Sequence, residues 1–381
     1  MSAMGLFRRA VIMALCAAAS LTSVAARAQG ALGANYNEHY EDVDYRDLEK
    51  SGARWVRLFL PMPQLDGGRA ADHGAVRTIL DAGDRGYRTI LTLKFAYIGV
   101  PFPKVGSEAY ARDIARLDTV LPLVMGKVDM LVIGNEPYNE SRRVDHDDNL
   151  NAYYEALAKR AIAYRARTCP DACRTRLYMG ALNRLDLDRN RNRSTERWLA
   201  FVKASPEIDG VTIHPHIPTF EASRAFLDFI LPRIRPEQTF IVTEFSLVRR
   251  WQQHLKEVAP TAFTVRHGFS ADTRNWQVIR DALERPFDKA AWDDFLSHSP
   301  WFESQKHYLR DQMAMFRATG HLAVATYGFR QGASMTGNFG PKSTPWLLNS
   351  VFAARTVKPN ADGSAAFNYA WIDDFRALQE Q

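Results

Sequence analysis

The chain has 381 residues, of which 46% are hydrophobic, and its formal net charge is +6 at pH 7. This hydrophobic fraction suffices for one large core, and the length fits either two domains or a single α/β barrel. Lys and Arg residues form no clustered stripe, which argues against a nucleic-acid partner. Beyond the amino-terminal segment, no apolar run approaches the length of a membrane span.

The amino-terminal segment, residues 1–28, has the pattern of a secretory signal peptide. Arg8 and Arg9 precede an apolar run that extends to about Val24, and Ala26 and Ala28 supply small residues at a cleavage site. We expect cleavage after Ala28 and export to the periplasm or the extracellular space. Cleavage removes three Arg and no acidic residue, so the charge of the mature chain falls from +6 to +3.

Short apolar runs alternate along the chain with helix-like segments. The predicted strands are 32–36, 54–60, 88–94, 128–134, 176–181, 210–214, 240–244 and 322–327, and the helical patterns include 44–51, 72–84, 150–167, 194–204 and 220–231. Eight strand–helix units, most with largely apolar strands, favour a parallel sheet closed into a (β/α)8 TIM barrel over residues 29–381. An open doubly wound sheet is the alternative, but no Gly-rich phosphate loop follows the first strand.

Two features interrupt the regular alternation. Cys169 and Cys173, in "RTCPDACRTR", are the cysteines of the mature chain, and in an oxidising compartment we expect them to pair rather than to hold a metal. A long aromatic-rich insertion, about residues 246–303, separates the seventh strand from the eighth. On a barrel it would lie over the carboxyl-end face. Its aromatic residues either stack on substrate or form a small core of their own.

Two glutamates follow apolar strands in the same way. Glu136 ends "MLVIGNE" and Glu244 ends "FIVTE", and they stand 108 residues apart, as three βα units of about 36 residues would place them. Glutamate is depleted in strands and costly to bury unpaired, so packing does not explain either residue. Glu136 is either a solvated turn residue or a residue placed at the carboxyl end of its strand for chemistry.

Paired carboxylates across a cleft are the groups that glycoside hydrolysis requires. One protonates the departing oxygen, and the other attacks the anomeric carbon or activates water. The two carboxyl groups need different surroundings so that one is protonated and the other ionised. If Arg57 reaches the barrel mouth, it favours ionised Glu244, whereas Glu136 stands beside neutral Asn135 and near Tyr138.

Five stretches in order resemble the retaining glycoside hydrolases of clan A, with its cellulase-like and family 39-like members. They are "WVRLFLPM" on strand two, "IGNEP" on strand four, "DGVTIHPH" on strand six, "IVTEF" on strand seven and "YGFRQGASMTGNFGPKSTPW" from strand eight. Together they extend over most of the mature chain.

The resemblance implies a role for each matching residue. Glu136 corresponds to the acid/base and Glu244 to the nucleophile of the family. Asn135 would bind the 2-hydroxyl of the sugar, Arg57 would hold Glu244 ionised, and His214 would line the site.

The chain departs from the family pattern at two positions. His216 replaces the strand-six Tyr that contacts the nucleophile, and a histidine there would make activity more dependent on pH. The common Trp platform falls at Thr326, so Tyr327 or Trp301 is the candidate replacement. His214 and His216 raise the alternative of a metal pair, but no third ligand is evident nearby in the sequence, and substrate-lining histidines are favoured.

The sequence therefore predicts a secreted, monomeric retaining β-glycoside hydrolase that needs no metal or other cofactor. Its substrate would be a β-linked poly- or oligosaccharide, and endo-action is preferred over exo-action. Two alternatives stay open: a transglycosylase using the same site, and a non-catalytic carbohydrate-binding barrel in envelope or exopolysaccharide assembly.

Overall fold

The computed structural model describes residues 30–170 and 173–380, so the predicted signal peptide lies outside the described residues. The strands are β1 Ala31–Asn35, β2 Trp55–Pro61, β3 Arg88–Lys94, β4 Met130–Ile133, β5 Arg176–Asn183, β6 Gly210–His214, β7 Thr239–Val242 and β8 Leu322–Gly328. Each strand pairs in parallel with the next, and β8 pairs with β1. The predicted (β/α)8 barrel is confirmed.

Helices surround the closed sheet. They are α1 Tyr45–Ser51, α2 Gly74–Asp84, α3 Glu108–Val124, α4 Asp148–Thr168, α5 Arg193–Ala204, α6 Ala222–Ile230, α7 Val248–His254, α8 Thr261–His267, α9 Asn275–Glu284, α10 Lys289–Ser297, α11 Pro300–Glu303, α12 Tyr308–Ala318 and α13 Ile372–Gln379. In α2, Val76 and Ile79 are three residues apart and both are buried. Such spacing places apolar side chains on the helix face that packs against the barrel.

The strands are apolar on both faces because the barrel has two cores. One is a large cluster between sheet and helices, which takes outward side chains such as Leu58 and Leu60. The other fills the barrel interior and contains Trp55, Ile90, Met130, Val132, Tyr178, Ile241 and Val324. Alternate residues of a strand point to opposite faces, so Arg57 shares the inward face with Trp55 and lies one step nearer the carboxyl end.

Parallel register brings the carboxyl ends of all eight strands to one edge. Asn35 is aligned with Arg57, and Asn183 is aligned with His214. Gly134, directly after β4, has φ of 92°, and a Cβ there would stand 2.7 Å from the carbonyl oxygen of Gly180. Only glycine fits this backbone, which turns the following residues toward the barrel mouth.

The segment from β7 to α12 folds into the short helices α7–α11. Its aromatic rings contact one another, with Trp251 centred 5.8 Å from Trp301 and Trp292 centred 5.7 Å from Phe295. Trp251 and Trp292 are fully buried. Of the two interpretations offered by the sequence, these contacts support a core internal to the segment.

Cys169 and Cys173 form a disulfide, as predicted, with their Cα atoms 5.2 Å apart. The bond follows the carboxyl end of α4. Because α4 runs back antiparallel to the strands, this end lies at the edge of the barrel opposite the strands' carboxyl ends. Among residues 30–170 and 173–380, no helix has the length and apolarity needed to cross a membrane.

Candidate active site

Glu136 and Glu244 line one cleft at the carboxyl ends of the strands. The cleft has a volume of about 260 Å³ and is also lined by Asn135 and His216. The two glutamate side chains are 18% and 15% exposed, so each reaches solvent through the cleft while most of its surface is covered. The two carboxylates singled out from the sequence therefore share one site.

His214 lies between the two carboxylates. Its Nδ1 is 3.0 Å from Glu136 Oε1 and 3.9 Å from Glu244 Oε1, and its Nε2 is 2.7 Å from Thr243 Oγ1. An ionised carboxylate only accepts hydrogen bonds, so Nδ1 carries the proton given to Glu136. In the neutral ring, Nε2 then accepts from the Thr243 hydroxyl. The ring is held from both ends.

Arg57 is completely buried and donates hydrogen bonds to residues of several strands. Its Nη1 lies 2.8 Å from Glu244 Oε1 and also reaches Asn35 and Asn37, while its Nη2 lies 3.0 Å from Asn135 Oδ1. A guanidinium has no acceptor, so every one of these contacts requires an oxygen facing Arg57.

This requirement fixes the orientation of the Asn135 amide. Its Oδ1 faces Arg57, and its Nδ2 donates to Glu140 Oε1 at 2.8 Å. Lys94 Nζ lies 3.3 Å from the same Glu140 oxygen. An amide nitrogen carries two protons, so Asn135 keeps one for a ligand in the cleft.

His216 also faces the carboxylates. Its Nδ1 is 2.8 Å from Ser246 Oγ, and its Nε2 is 3.5 Å from Glu244 Oε2 and 3.9 Å from Glu136 Oε1. The ring of Trp346 lies edge-to-face against the imidazole at 4.6 Å between centroids and lines the cleft. Trp346 thus places an aromatic surface beside the two carboxylates.

The two glutamates differ in their electrostatic surroundings. Burial raises the pKa of Glu244, but the charges of His214 and Arg57 outweigh it and hold that pKa well below its usual range. Burial likewise raises the pKa of Glu136, but the hydrogen bond and charge of His214, followed by the charge of His216, outweigh it and lower the pKa. Arg57 bonds to Glu244 alone of the two, which makes Glu244 the more firmly ionised carboxylate.

Glu140 is a third carboxyl group in the cleft. Burial raises its pKa to about 7, against the opposing effects of Lys94 and of the Asn135 hydrogen bond. Its Oε2 is buried and has no hydrogen-bond partner among the described residues. A carboxyl group that is half protonated near neutrality therefore lies next to Asn135.

Five residues predicted for the site lie outside the cleft lining. Arg57 and His214 are fully buried beneath it and contact its carboxylates, whereas the other three lie away from them. Tyr327 is fully buried on the outer side of β8, where its ring packs against Phe245 and Trp371. Trp301 is 7% exposed and packs within the α7–α11 segment. Tyr138 borders a neighbouring pocket, and its hydroxyl lies 3.0 Å from Ser194 Oγ.

Several lining residues were missed by the sequence reasoning. Asn35 ends β1, a strand on which no chemistry was predicted, Asn37 lies two residues beyond it, and Glu140 follows the acid/base candidate by four residues. Trp346 closes the "KSTPW" stretch quoted for the resemblance, and that stretch was the signal for an aromatic residue at this position.

The side chains of Glu136, His214 and His216 also form a group able to hold a metal ion. One ligand atom from each lies within 4.8 Å of the others. Glu136 is the third ligand that was not evident beside the "HPH" stretch, because the fold and not the sequence brings it there.

No protein-family model and no curated protein sequence matches this chain. Solved structures similar to it include xylanase B of Clostridium stercorarium F9, at 14% identity over 92% of this chain and 97% of that one, with a TM-score of 0.51. A glucosidase of Croceicoccus marinus matches at 10% identity, 92% and 67% coverage and a TM-score of 0.52. An endo-1,4-β-xylanase of Penicillium canescens matches at 13% identity, 91% and 94% coverage and a TM-score of 0.50. At these identities the likeness is one of fold.

Proposed function

We propose that this protein is an exported, retaining β-glycoside hydrolase that cleaves a β-linked poly- or oligosaccharide through two glutamates. The observation that carries the proposal is the convergence of Glu136 and Glu244 on His214 at one cleft, with Arg57 hydrogen-bonded to Glu244 and not to Glu136. Solved barrels of similar fold include xylanases and a glucosidase, which agrees with a carbohydrate substrate.

The spacing of the two carboxylates agrees with retention. Their Oε1 atoms lie 3.0 and 3.9 Å from one atom, His214 Nδ1, and are therefore no more than about 7 Å apart. Retaining enzymes hold their carboxyl groups about 5–5.5 Å apart and inverting enzymes about 6.5–9.5 Å apart, so this upper limit admits the retaining spacing and excludes most of the inverting range.

In the first step, Glu136, the less firmly ionised of the two glutamates, acts in its protonated form and gives that proton to the glycosidic oxygen as the bond from that oxygen to the anomeric carbon breaks. Glu244 attacks the anomeric carbon and forms a covalent ester. We assign the attack to Oε2, because Oε1 is held by Arg57 at 2.8 Å, whereas Oε2 has His216 Nε2 at 3.5 Å.

In the second step, the Glu136 carboxylate takes a proton from water, and the water oxygen attacks the anomeric carbon. The ester bond breaks and Glu244 leaves as a carboxylate, stabilised again by Arg57. Asn135 has one free amide proton for the sugar 2-hydroxyl, a contact that strengthens in the oxocarbenium-like transition state.

The test is release of reducing ends from β-glucans, xylan, mannan and bacterial exopolysaccharides. Wild type is compared with Glu244→Gln and with Glu207→Gln, a matched change at an exposed position outside the cleft. We expect one glycan to be cleaved and Glu244→Gln to lower the rate at least about 1,000-fold, because the covalent route is lost. Glu207→Gln should retain the wild-type rate.

The roles of the two glutamates are separated by leaving group. Glu136→Gln should lose cleavage of the natural glycan but keep the first step on an aryl glycoside whose phenol leaves without protonation. Inversion of the anomeric centre, followed by proton NMR, would contradict the nucleophile role of Glu244. Binding of a glycan without cleavage would favour the non-catalytic barrel, and transfer to added sugar acceptors would favour the transglycosylase.

A further inference from the structure

Three potential metal ligands lie within 4.8 Å of one another beside the cleft, with Glu244 next to them. They are His214 Nδ1, His216 Nε2 and Glu136 Oε1. The pair Glu136–His214 is 3.0 Å apart and the pair Glu244–His216 is 3.5 Å apart. Glu136 Oε1 is 3.9 Å from His216 Nε2.

The separations of Glu136 Oε1 from the two imidazole nitrogens, 3.0 and 3.9 Å, bracket those of ligands around a tetrahedral ion. Nitrogen and oxygen ligands lie about 2.0–2.2 Å from Zn²⁺, so neighbouring ligands in a tetrahedron stand about 3.3–3.6 Å apart. Side-chain movements would bring the three atoms into that arrangement, and a water molecule would take the fourth position.

The other nitrogen of each imidazole has a hydroxyl partner. His214 Nε2 faces Thr243 Oγ1 at 2.7 Å, and His216 Nδ1 faces Ser246 Oγ at 2.8 Å. Such outer partners orient metal-binding histidines. If neutral His214 carries its proton on Nε2 instead of Nδ1, the Nε2–H donates a hydrogen bond to Thr243 Oγ1. The Thr243 hydroxyl can then donate to Thr212 Oγ1, 2.9 Å away.

The charge of the cluster suits a dication. Glu136 and Glu244 bring two negative charges and Arg57 one positive charge, which leaves one net negative charge beside two imidazoles. Two imidazoles with carboxylates select a first-row transition ion rather than Ca²⁺ or Mg²⁺, which prefer oxygen ligands.

We propose that this cleft binds one Zn²⁺ ion through Glu136, His214 and His216, and that the ion switches off hydrolysis. The inhibitory part rests on the proposed function, because the ion would occupy Glu136, lie beside Glu244 and fill the place of the anomeric carbon. The binding part rests on the geometry alone. His216, which stands where the resembling family has Tyr, is the ligand on which the site depends.

Metal binding is measured first without any glycan. The purified mature protein is titrated with Zn²⁺ by calorimetry, and with Co²⁺ while the visible absorption of tetrahedral cobalt is recorded. We expect one ion per chain and, for cobalt, intense bands from a four-coordinate site. Residual glycosidase activity plays no part in this measurement.

Three variants locate the ion. His216→Tyr should weaken Zn²⁺ binding at least about 100-fold, since loss of a direct ligand costs more than loss of an outer partner. Ser246→Ala, which leaves all three ligands in place, should weaken binding about 10-fold to 100-fold. His298→Gln removes a surface imidazole that pairs with Asp294 at 3.1 Å, and should leave binding unchanged. Circular dichroism checks that each variant is folded.

The inhibitory part is tested by adding Zn²⁺ and then EDTA to wild type acting on the glycan found above. Loss of cleavage that EDTA reverses is the expected result. Zinc binding equal in wild type, His216→Tyr and Ser246→Ala, or no binding at all, would overturn the inference even if glycan is cleaved. Zinc binding at this site in a protein that cleaves no glycan would instead overturn the proposed function and leave the metal site standing.

Discussion

Arg57 Nη1 lies 2.8 Å from Glu244 Oε1, and the arginine of this pair has no exposed surface. The pair joins β2 to the end of β7 across the barrel mouth. In so little water, the guanidinium is the fixed charge that keeps the adjacent carboxylate ionised. The first prediction follows from this pair.

Arg57→Lys should lower kcat/KM at least about 100-fold, because an ammonium group cannot reproduce the fork that holds Glu244 and Asn135 together. Folding lowers the pKa of Glu244, so the wild-type carboxylate stays ionised as the pH falls. A weaker partner lets that pKa rise, and the acidic limb of the pH profile of kcat/KM should move to higher pH. Arg54→Lys, at an exposed position three residues earlier, is the control. An unmoved acidic limb in Arg57→Lys would contradict the assigned role.

Glu140 should make stability fall as the pH rises. Folding raises its pKa from 4.5 to about 7, so its favourable contribution is complete below pH 4.5 and disappears as the pH rises through 7. Between pH 5 and pH 8 this loss amounts to about 2.5 kcal/mol. Glu140→Gln keeps an acceptor for Asn135 and does not titrate.

Urea unfolding at pH 5 and pH 8 measures this effect. The free energy of unfolding of Glu140→Gln, relative to that of wild type, should be about 2.5 kcal/mol higher at pH 8 than at pH 5. For the exposed change Glu207→Gln, the difference from wild type should be the same at both pH values. A constant difference between Glu140→Gln and wild type would show that Glu140 ionises in the folded protein as it does in the unfolded chain.

Trp346→Ala should raise KM at least about tenfold, equivalent to about 1.4 kcal/mol of lost binding, because the variant removes the aromatic surface beside the carboxylates. Tyr327→Phe is the matched control. The Tyr327 hydroxyl is buried without a hydrogen-bond partner among the described residues and lies away from the cleft lining, so kinetics should not change. Steady-state kinetics on the cleaved glycan decide between the two residues. A raised KM in Tyr327→Phe with an unchanged KM in Trp346→Ala would restore Tyr327 as the candidate platform.

Replacing Cys169 and Cys173 together by Ser should lower the free energy of unfolding by about 2 kcal/mol, as expected for opening a loop of five residues. Steady-state kinetics should stay at the wild-type level, since the disulfide lies at the opposite edge of the barrel from the cleft. Urea unfolding of the variant and of wild type with and without reductant measures the change. A variant with wild-type stability but reduced kcat/KM would contradict both parts of this prediction.

Much of the fold was predictable because strands and helices carry local signals. The strands 88–94 and 210–214 have the predicted bounds, since apolar runs ending in turn residues define a strand within a few positions. Glu136 and Glu244 were found for the opposite reason: each violates the pattern of the strand that it follows. Such local inconsistencies concentrate at functional sites.

Tyr327 was wrongly predicted as the aromatic platform of the cleft, because side-chain direction changes with every residue of a strand. Val324 belongs to the interior cluster, so Thr326 also points inward and Tyr327 points outward to the helices. Trp346 comes from a loop whose path depends on tertiary contacts. Glu140 escaped notice because its neighbours in sequence give no sign that Lys94 and Asn135 surround it.

The contacts of Arg57 also bear on how the cleft opens. One side chain on β2 donates to Thr92 on β3, Asn35 on β1, Asn135 beyond β4 and Glu244 beyond β7. Widening the mouth by separating any of these strands breaks bonds to the others, so this part of the barrel opens only in sub-global unfolding. Amide protons at the ends of these strands should therefore exchange with solvent as slowly as those of the core, and under the proposed function a glycan would reach this part of the cleft by movement of the surrounding loops.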